Sequence, residues 1–100
     1  MLKMENLCRC INRKFFETAK EAEYGNAHVL VEEMAELTKE FMHYYHRPER
    51  TDGSMNKIIE ELSHVLISCR CFQMGARISD DQIQAEIDKK YRKFNLAPEA

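Results

Sequence analysis

The chain is short of the residues that break or bend a backbone. Its 100 positions hold three glycines and two prolines, and alternating apolar–polar runs of the strand type are few. Sheets are disfavoured on that count, while abundant Glu, Lys, Ala, Leu and Met point to an all-α fold. Net charge is scarce as well. At −2 it marks out neither a nucleic acid polymer nor an acidic membrane surface as a partner. No apolar run approaches the roughly 20 residues of a membrane span, and the opening residues lack the pattern of a secretory leader. One domain over residues 1–100, soluble and cytoplasmic, is expected.

The four cysteines form two Cys-Arg-Cys tripeptides, Cys8/Cys10 and Cys69/Cys71. A four-thiolate zinc site is one reading. Both pairs fall in helical stretches, where residues two apart point in divergent directions. Small, reduced, partly buried thiols are therefore the preferred reading.

Helical periodicity divides the chain into four segments. The first runs from about Met4 to Ala22, with Leu7, Ile11, Phe15, Ala19 and Ala22 as its buried face. Gly25 is its expected stop and Asn26 the N-cap of the next. The second helix runs from about Ala27 to Tyr45, followed by a polar loop over 46–54 with Pro48 and Gly53 as breakers. The third runs from about Met55 to Met74. Met55, Ile58, Ile59, Leu62, Val65, Leu66 and Cys69 make its broad apolar face, while Ile67 and Cys71 lie opposite, beside Glu60 and His64. A surface helix of a small monomer is not apolar on both sides. The third helix is therefore expected to be central, with its second side covered by another subunit or a ligand cavity; a scattered exposed Ile is the bland alternative. Ser79-Asp-Asp-Gln82 has the form of a capping box and opens a fourth helix buried through Ile83, Ile87, Tyr91 and Phe94. A short tail from Asn95 is expected to fray. Four helices with short connections suggest a four-helix bundle, associating through helices two and three into a homo-oligomer.

The informative stretch is Val31 to Glu40 in the second helix. Leu30, Met34, Leu37 and Phe41 form an apolar stripe there, and Glu33, Glu36 and Glu40 lie beside it. Like charges three and four residues apart repel, so a cation or water has to reach them. Folding the second and third helices into an antiparallel hairpin about Arg50 brings Glu33 and Glu36 to the level of Glu61 and His64. Converging carboxylates in a bundle interior are costly unless neutralised. A hard divalent cation, Mg²⁺ above all, is the natural partner, and its open positions suit phosphoryl chemistry.

The ordered pattern Glu32-Glu33-x-x-Glu36, then Glu61-x-x-His64, resembles the signature of the MazG-like, all-α nucleoside triphosphate pyrophosphohydrolases. Tyr24-Gly25 resembles the family's lead-in to its second helix. Glu61-Leu-Ser-His-Val-Leu-Ile67 resembles its Glu-Leu-Ala-Asp-Val-Leu-Ile segment, and Lys89 to Lys93 resembles its late basic stretch. The resemblance implies hydrolysis of (deoxy)nucleoside triphosphates to monophosphate and pyrophosphate, with Mg²⁺, by a homodimer or homotetramer. It makes Glu33, Glu36 and Glu61 metal ligands and gives Glu32 a part in ligation or in orienting the attacking water. Lys89, Lys90, Arg92 and Lys93 become candidates for meeting phosphate; cations suiting the negative end of a helix account for them equally.

One position departs from the pattern: His64 stands where the family has Asp. Imidazole is a poor Mg²⁺ ligand but an acceptable one for Mn²⁺, Zn²⁺ or Fe²⁺. Three readings follow: altered metal preference, a site completed by Glu60 or Glu40, or a non-catalytic helical oligomer that keeps the fold. Glu40-x-x-His43 and Glu61-x-x-His64 also resemble di-iron carboxylate proteins, with Glu17, Glu21 and Glu86 as the further carboxylates. Phe41, Tyr44 and Tyr45 read as core or interface before base-stacking groups.

Overall fold

The computed structural model describes residues 1–47, 49 and 55–97. The expected loop breakers Pro48 and Gly53, and the end of the tail, lie outside the described residues. Four α-helices make up the fold: α1 Glu5–Phe15, α2 Ala19–His46, α3 Met55–Gly75 and α4 Asp80–Lys93. The described residues contain no strand, and none of their helices is long and apolar enough to cross a membrane.

The first boundary differs from expectation. α1 ends at Phe15, the chain turns extended at Phe16, and α2 begins at Ala19, eight residues before the expected start. The missed signal is Thr18-x-x-Glu21. The Thr18 hydroxyl accepts the Glu21 N–H at 3.1 Å, and the Glu21 carboxylate reaches back to accept the Glu17 N–H at 3.1 Å. Together they satisfy donors that a helix start leaves open. Gly25 and Asn26 are thus interior to α2 rather than a stop and a cap. A Cβ at Gly25 would overlap the Phe16 ring, so this glycine lets the ring lie against the α2 backbone.

α2 and α3 form the antiparallel hairpin that was expected, and theirs is the most extensive contact in the chain. Ala22 meets Gly75 at one end and Glu33 meets His64 nearer the other. The matching level therefore lies slightly before Arg50. At Gly75 a Cβ would stand 3.1 Å from the Glu23 backbone nitrogen and 3.2 Å from Ala22; the bare glycine permits that approach. α1 packs along α3. The Cys8 thiol faces the Ile67 carbonyl at 3.7 Å and the Asn12 amide donates to the Cys71 carbonyl at 3.2 Å.

Which faces are buried is the larger correction. Of the apolar face expected on α3, only Ile58 is buried, and Met55, Ile59, Leu62, Leu66 and Cys69 are exposed. The opposite face, with Glu61, Ser68 and Cys71, is the one packed inward. Leu7 and Phe15 on α1 are likewise exposed, and Cys8 is buried in their place. Met34 and Phe41 of the α2 stripe are exposed while Asn26 and Glu40 are buried. Hydrophobic periodicity located the helices but not their facing, because the seam is built from small and polar side chains.

α4 opens with the expected capping box. Ser79 Oγ accepts the Gln82 N–H at 3.1 Å and Gln82 Oε1 accepts the Ser79 N–H at 2.8 Å. It buries no residue, so Ile83, Ile87 and Phe94 stay exposed. Arg70 ties its start to the rest. The guanidinium donates to Asp80 at 2.6 Å and to Glu5 at 2.5 Å, and holds both carboxyls below their ordinary range. Two helix ends close in Schellman fashion through left-handed residues, Arg77 (φ 58°) after α3 and Asn95 (φ 54°) after α4. The bonds from Leu96 N–H to the Tyr91 carbonyl, 2.8 Å, and from Asn95 N–H to Arg92, 3.1 Å, order the start of the tail that was expected to fray.

Two substitutions near the α3 end are expected to act in opposite directions in urea unfolding. Arg77→Gly removes the left-handed penalty of a side chain and stabilises by up to about 1 kcal/mol. Gly75→Val forces α2 and α3 apart and costs about 1–3 kcal/mol.

Candidate metal centre

Three potential ligands converge on the α2–α3 seam. Glu33 comes from the middle of α2, and Glu61 and His64 lie one turn apart on α3. His64 Nδ1 is 3.3 Å from Glu33 Oε2 and 3.4 Å from Glu61 Oε2. All three ligand atoms lie within 4.8 Å of one another, the one such group among the described residues. Glu61 is buried, with 6 % of its surface exposed, while Glu33 and His64 are half-buried. The group is thus anchored in the seam and open on one side. Ligand atoms around one small divalent ion at about 2.1 Å stand roughly 3 Å apart. The two edges at His64 already match that spacing.

The seam supplies its own cationic groups. The Lys57 ammonium is 3.6 Å from Glu61 and 3.4 Å from Glu60, and its pKa is raised, chiefly by the Glu60 hydrogen bond. His64, when protonated, bridges Glu33 and Glu61. Two carboxylates beside one buried position repel unless such charges meet them. A divalent ion here would therefore compete with Lys57 for Glu61.

The remaining expected residues are placed differently. Glu36 and Glu32 are exposed and outside the group. On α2 they lie about 60° and 100° round from Glu33, both on the same side, so they flank it rather than close it. Lys89, Lys90, Arg92 and Lys93 end α4, all exposed. Lys89 pairs with Glu86 at 2.7 Å, and Lys93 lies over the Phe94 ring at 5.7 Å. The expected reserve ligand Glu60 is exposed and taken by Lys57.

Sequence reasoning undervalued Glu40 and His43. Glu40 is buried, and its Oε2 and the His43 Nδ1 are buried atoms without a hydrogen-bond partner. The available signal was heptad spacing: Asn26, Glu33 and Glu40 recur every seven residues and return to the same seam. The di-iron arrangement gains no further carboxylate, since Glu17, Glu21 and Glu86 are exposed and outside any ligand group. The cysteines separate too. Cys8 and Cys71 are buried, Cys10 and Cys69 exposed, and all four are free. Burial and the neighbouring Cys8 thiol push the Cys71 thiol up to about 12, which makes it a poor thiolate ligand.

No protein-family model matches the chain, and neither a curated protein nor a solved structure matches it.

The geometry predicts that Mn²⁺, followed by its electron paramagnetic resonance signal, binds the protein in solution. Glu61→Gln is expected to weaken that binding at least tenfold. His64→Asp should shift preference towards Mg²⁺, because it replaces an imidazole with a hard oxygen.

Proposed function

We propose that the protein is a metal-dependent nucleotide pyrophosphohydrolase of the MazG-like type, acting in the cytoplasm. It would cleave (deoxy)nucleoside triphosphates to monophosphate and pyrophosphate. The observation that carries this reading is the convergence of Glu33, Glu61 and His64 from two antiparallel helices onto one solvent-open position. Such a donor set fits Mn²⁺ well and Mg²⁺ less well, because imidazole replaces one oxygen. A bound ion would supply charge neutralisation on the phosphates and a water of lowered pKa. Glu33, Glu61 and His64 would hold that ion, with Glu36 on the open flank. Glu32 lies further round the same flank, where it orients the attacking water. Lys89, Lys90, Arg92 and Lys93 are the candidates for neutralising the phosphate chain.

The same reading includes assembly into a homodimer or homotetramer. Its support is surface. The chain exposes 7978 Å², against about 5,900 Å² expected of a compact monomer of 11.8 kDa. Its radius of gyration is 16.3 Å, against about 13 Å for a compact 100-residue domain. The excess is of the order that an obligate interface covers. The exposed apolar side chains of α2, α3 and α4 are the natural contact surface.

A second reading, a non-catalytic helical oligomer, draws on Lys57 and His64. Lys57 already pairs with Glu61, and the His64 ring lies against Glu33 and Glu61, without any ion. The two readings separate on one assay. With Mn²⁺ or Mg²⁺ the enzyme is expected to release pyrophosphate from at least one member of a broad nucleotide panel, and Glu61→Gln to lower that rate at least a hundredfold. A flat panel at high protein concentration, with both metals, supports the non-catalytic reading instead.

Light scattering on an eluting size-exclusion peak is expected to give a multiple of 11.8 kDa. Ile59→Glu with Leu62→Glu should return it to the monomer mass; a wild-type monomer at tens of micromolar defeats the assembly.

A further inference from the structure

A hollow of about 520 Å³ lies between α1 and the α2–α3 pair, and its lining residues Val29 and Ser68 stand one helical turn from Glu33 and His64. Its apolar walls include Ile11, Phe16, Val29 and Ile67, with the exposed Phe15 at its rim. Two polar side chains line it, Asn26 and Ser68, both buried. A mostly apolar hollow of this size with a few placed polar groups is the usual form of a small-molecule site. It also follows the same stripes as the ligands. Val29 is one turn before Glu33 on α2, and Ser68 one turn after His64 on α3. Each step is about 6 Å along the helix.

The polar frame fixes which atoms face a ligand. The Cys71 backbone carbonyl can only accept, so the Asn12 amide nitrogen must be the group that meets it at 3.2 Å. That leaves Asn12 Oδ1 to accept from the Asn26 amide nitrogen at 2.9 Å. The Asn26 amide is thereby oriented by a chain ending on backbone. Its Oδ1 remains an acceptor with no protein donor among the described residues. Turning the amide over would sacrifice the Asn12 bond. The Ser68 hydroxyl likewise has no protein partner among the described residues.

The two groups sit at different depths. Asn26 is seven residues from Glu33, about 10 Å along α2, whereas Ser68 is four residues from His64. A ligand with its phosphates at the carboxylate group places its far end at Asn26. On a nucleobase the atom most distant from the ribose is the exocyclic substituent. An amino group there donates to Asn26 Oδ1, and the adjacent ring nitrogen accepts from Ser68. A carbonyl there would set two acceptors against each other.

We propose that this cavity is the base subsite of the nucleotide site and that Asn26 selects bases carrying an exocyclic amino group at the distal position, cytosine or adenine, over uracil, thymine and hypoxanthine. The inference rests on reading the Glu33–Glu61–His64 group as a nucleotide site, and its test needs neither metal nor turnover. Calorimetric titration of the wild-type protein in chelator with CMP, AMP, UMP and IMP is expected to show CMP or AMP binding at least tenfold more tightly than its keto counterpart. Equal affinities, a keto preference, or no binding of any of the four at millimolar concentration overturns it. Ile11→Trp fills the hollow while leaving Asn26, Asn12 and Ser68 unsubstituted. It is expected to lower monophosphate affinity at least tenfold while Mn²⁺ binding changes less than twofold; unchanged monophosphate affinity in a folded variant places the ligand elsewhere and overturns the proposal. Pyrophosphate release without amino selectivity sinks the subsite and leaves the hydrolase reading standing. Selective monophosphate binding without release does the reverse.

Discussion

Along the seam between α2 and α3, the helices touch closely where Ala22 meets Gly75 and carry carboxylates and an imidazole further along. Small side chains at one end set the approach, and the charged groups inherit it. Glu61 becomes buried beside half-buried Glu33 because the backbones are already close there. Desolvating a carboxylate next to another is unfavourable unless positive charge is held against both. Lys57 meets that condition for Glu61 within the chain, and the His64 ring lies against both carboxylates. The position of the site, its charge and the direction it opens are all consequences of this one helix pair.

A polar seam forces a compensation elsewhere. The apolar residues that periodicity assigns to the helices are largely on the outside: Ile59 is 58 % exposed, and Leu62, Leu66, Met34, Ile83 and Ile87 are exposed with it. Four helices of this length cannot gain their stability from Cys8, Ala22, Ile58 and Cys71 alone, the buried apolar set. The proposed assembly answers both needs, since it covers the outer apolar faces and leaves the polar seam as a site. α4 fits the same logic. It is capped, terminated and tethered through Arg70, yet buries nothing within its own chain. Its formed but unpacked amphipathic face is what a helix contributing to an intersubunit contact would present.

The sequence made some levels of this structure legible and hid others. Helix number, the α3 span, the Ser79–Gln82 capping box and the antiparallel hairpin followed from periodicity, caps and loop length. So did the meeting of Glu33 with Glu61 and His64, because level matching between antiparallel helices needs only residue numbers and rise. Facing was hidden. Hydrophobic pattern assumes that apolar residues point to the chain's own core, and here they point away from it. The α1–α2 boundary was missed because Gly25 served as the stop signal, when its role is to admit the Phe16 ring. The cavity was hidden entirely. It is framed by the Asn12–Asn26 bond across two helices, and Asn12 stands in no recognisable pattern.

His64 gives the site a property that an aspartate in its place would not have. With Asp, three carboxylates would share the open position and Lys57 alone would oppose them, so the fold itself would call for a divalent ion. With His, only two carboxylates share the position, and the third donor is an imidazole nitrogen 3.3 Å from Glu33 and 3.4 Å from Glu61. On the proposed reading, affinity for a hard ion such as Mg²⁺ would fall through the softer donor. Mn²⁺ loses less, because it accepts imidazole. On that reading, the imidazole would favour Mn²⁺ over Mg²⁺ while the convergence of donors from two helices is kept.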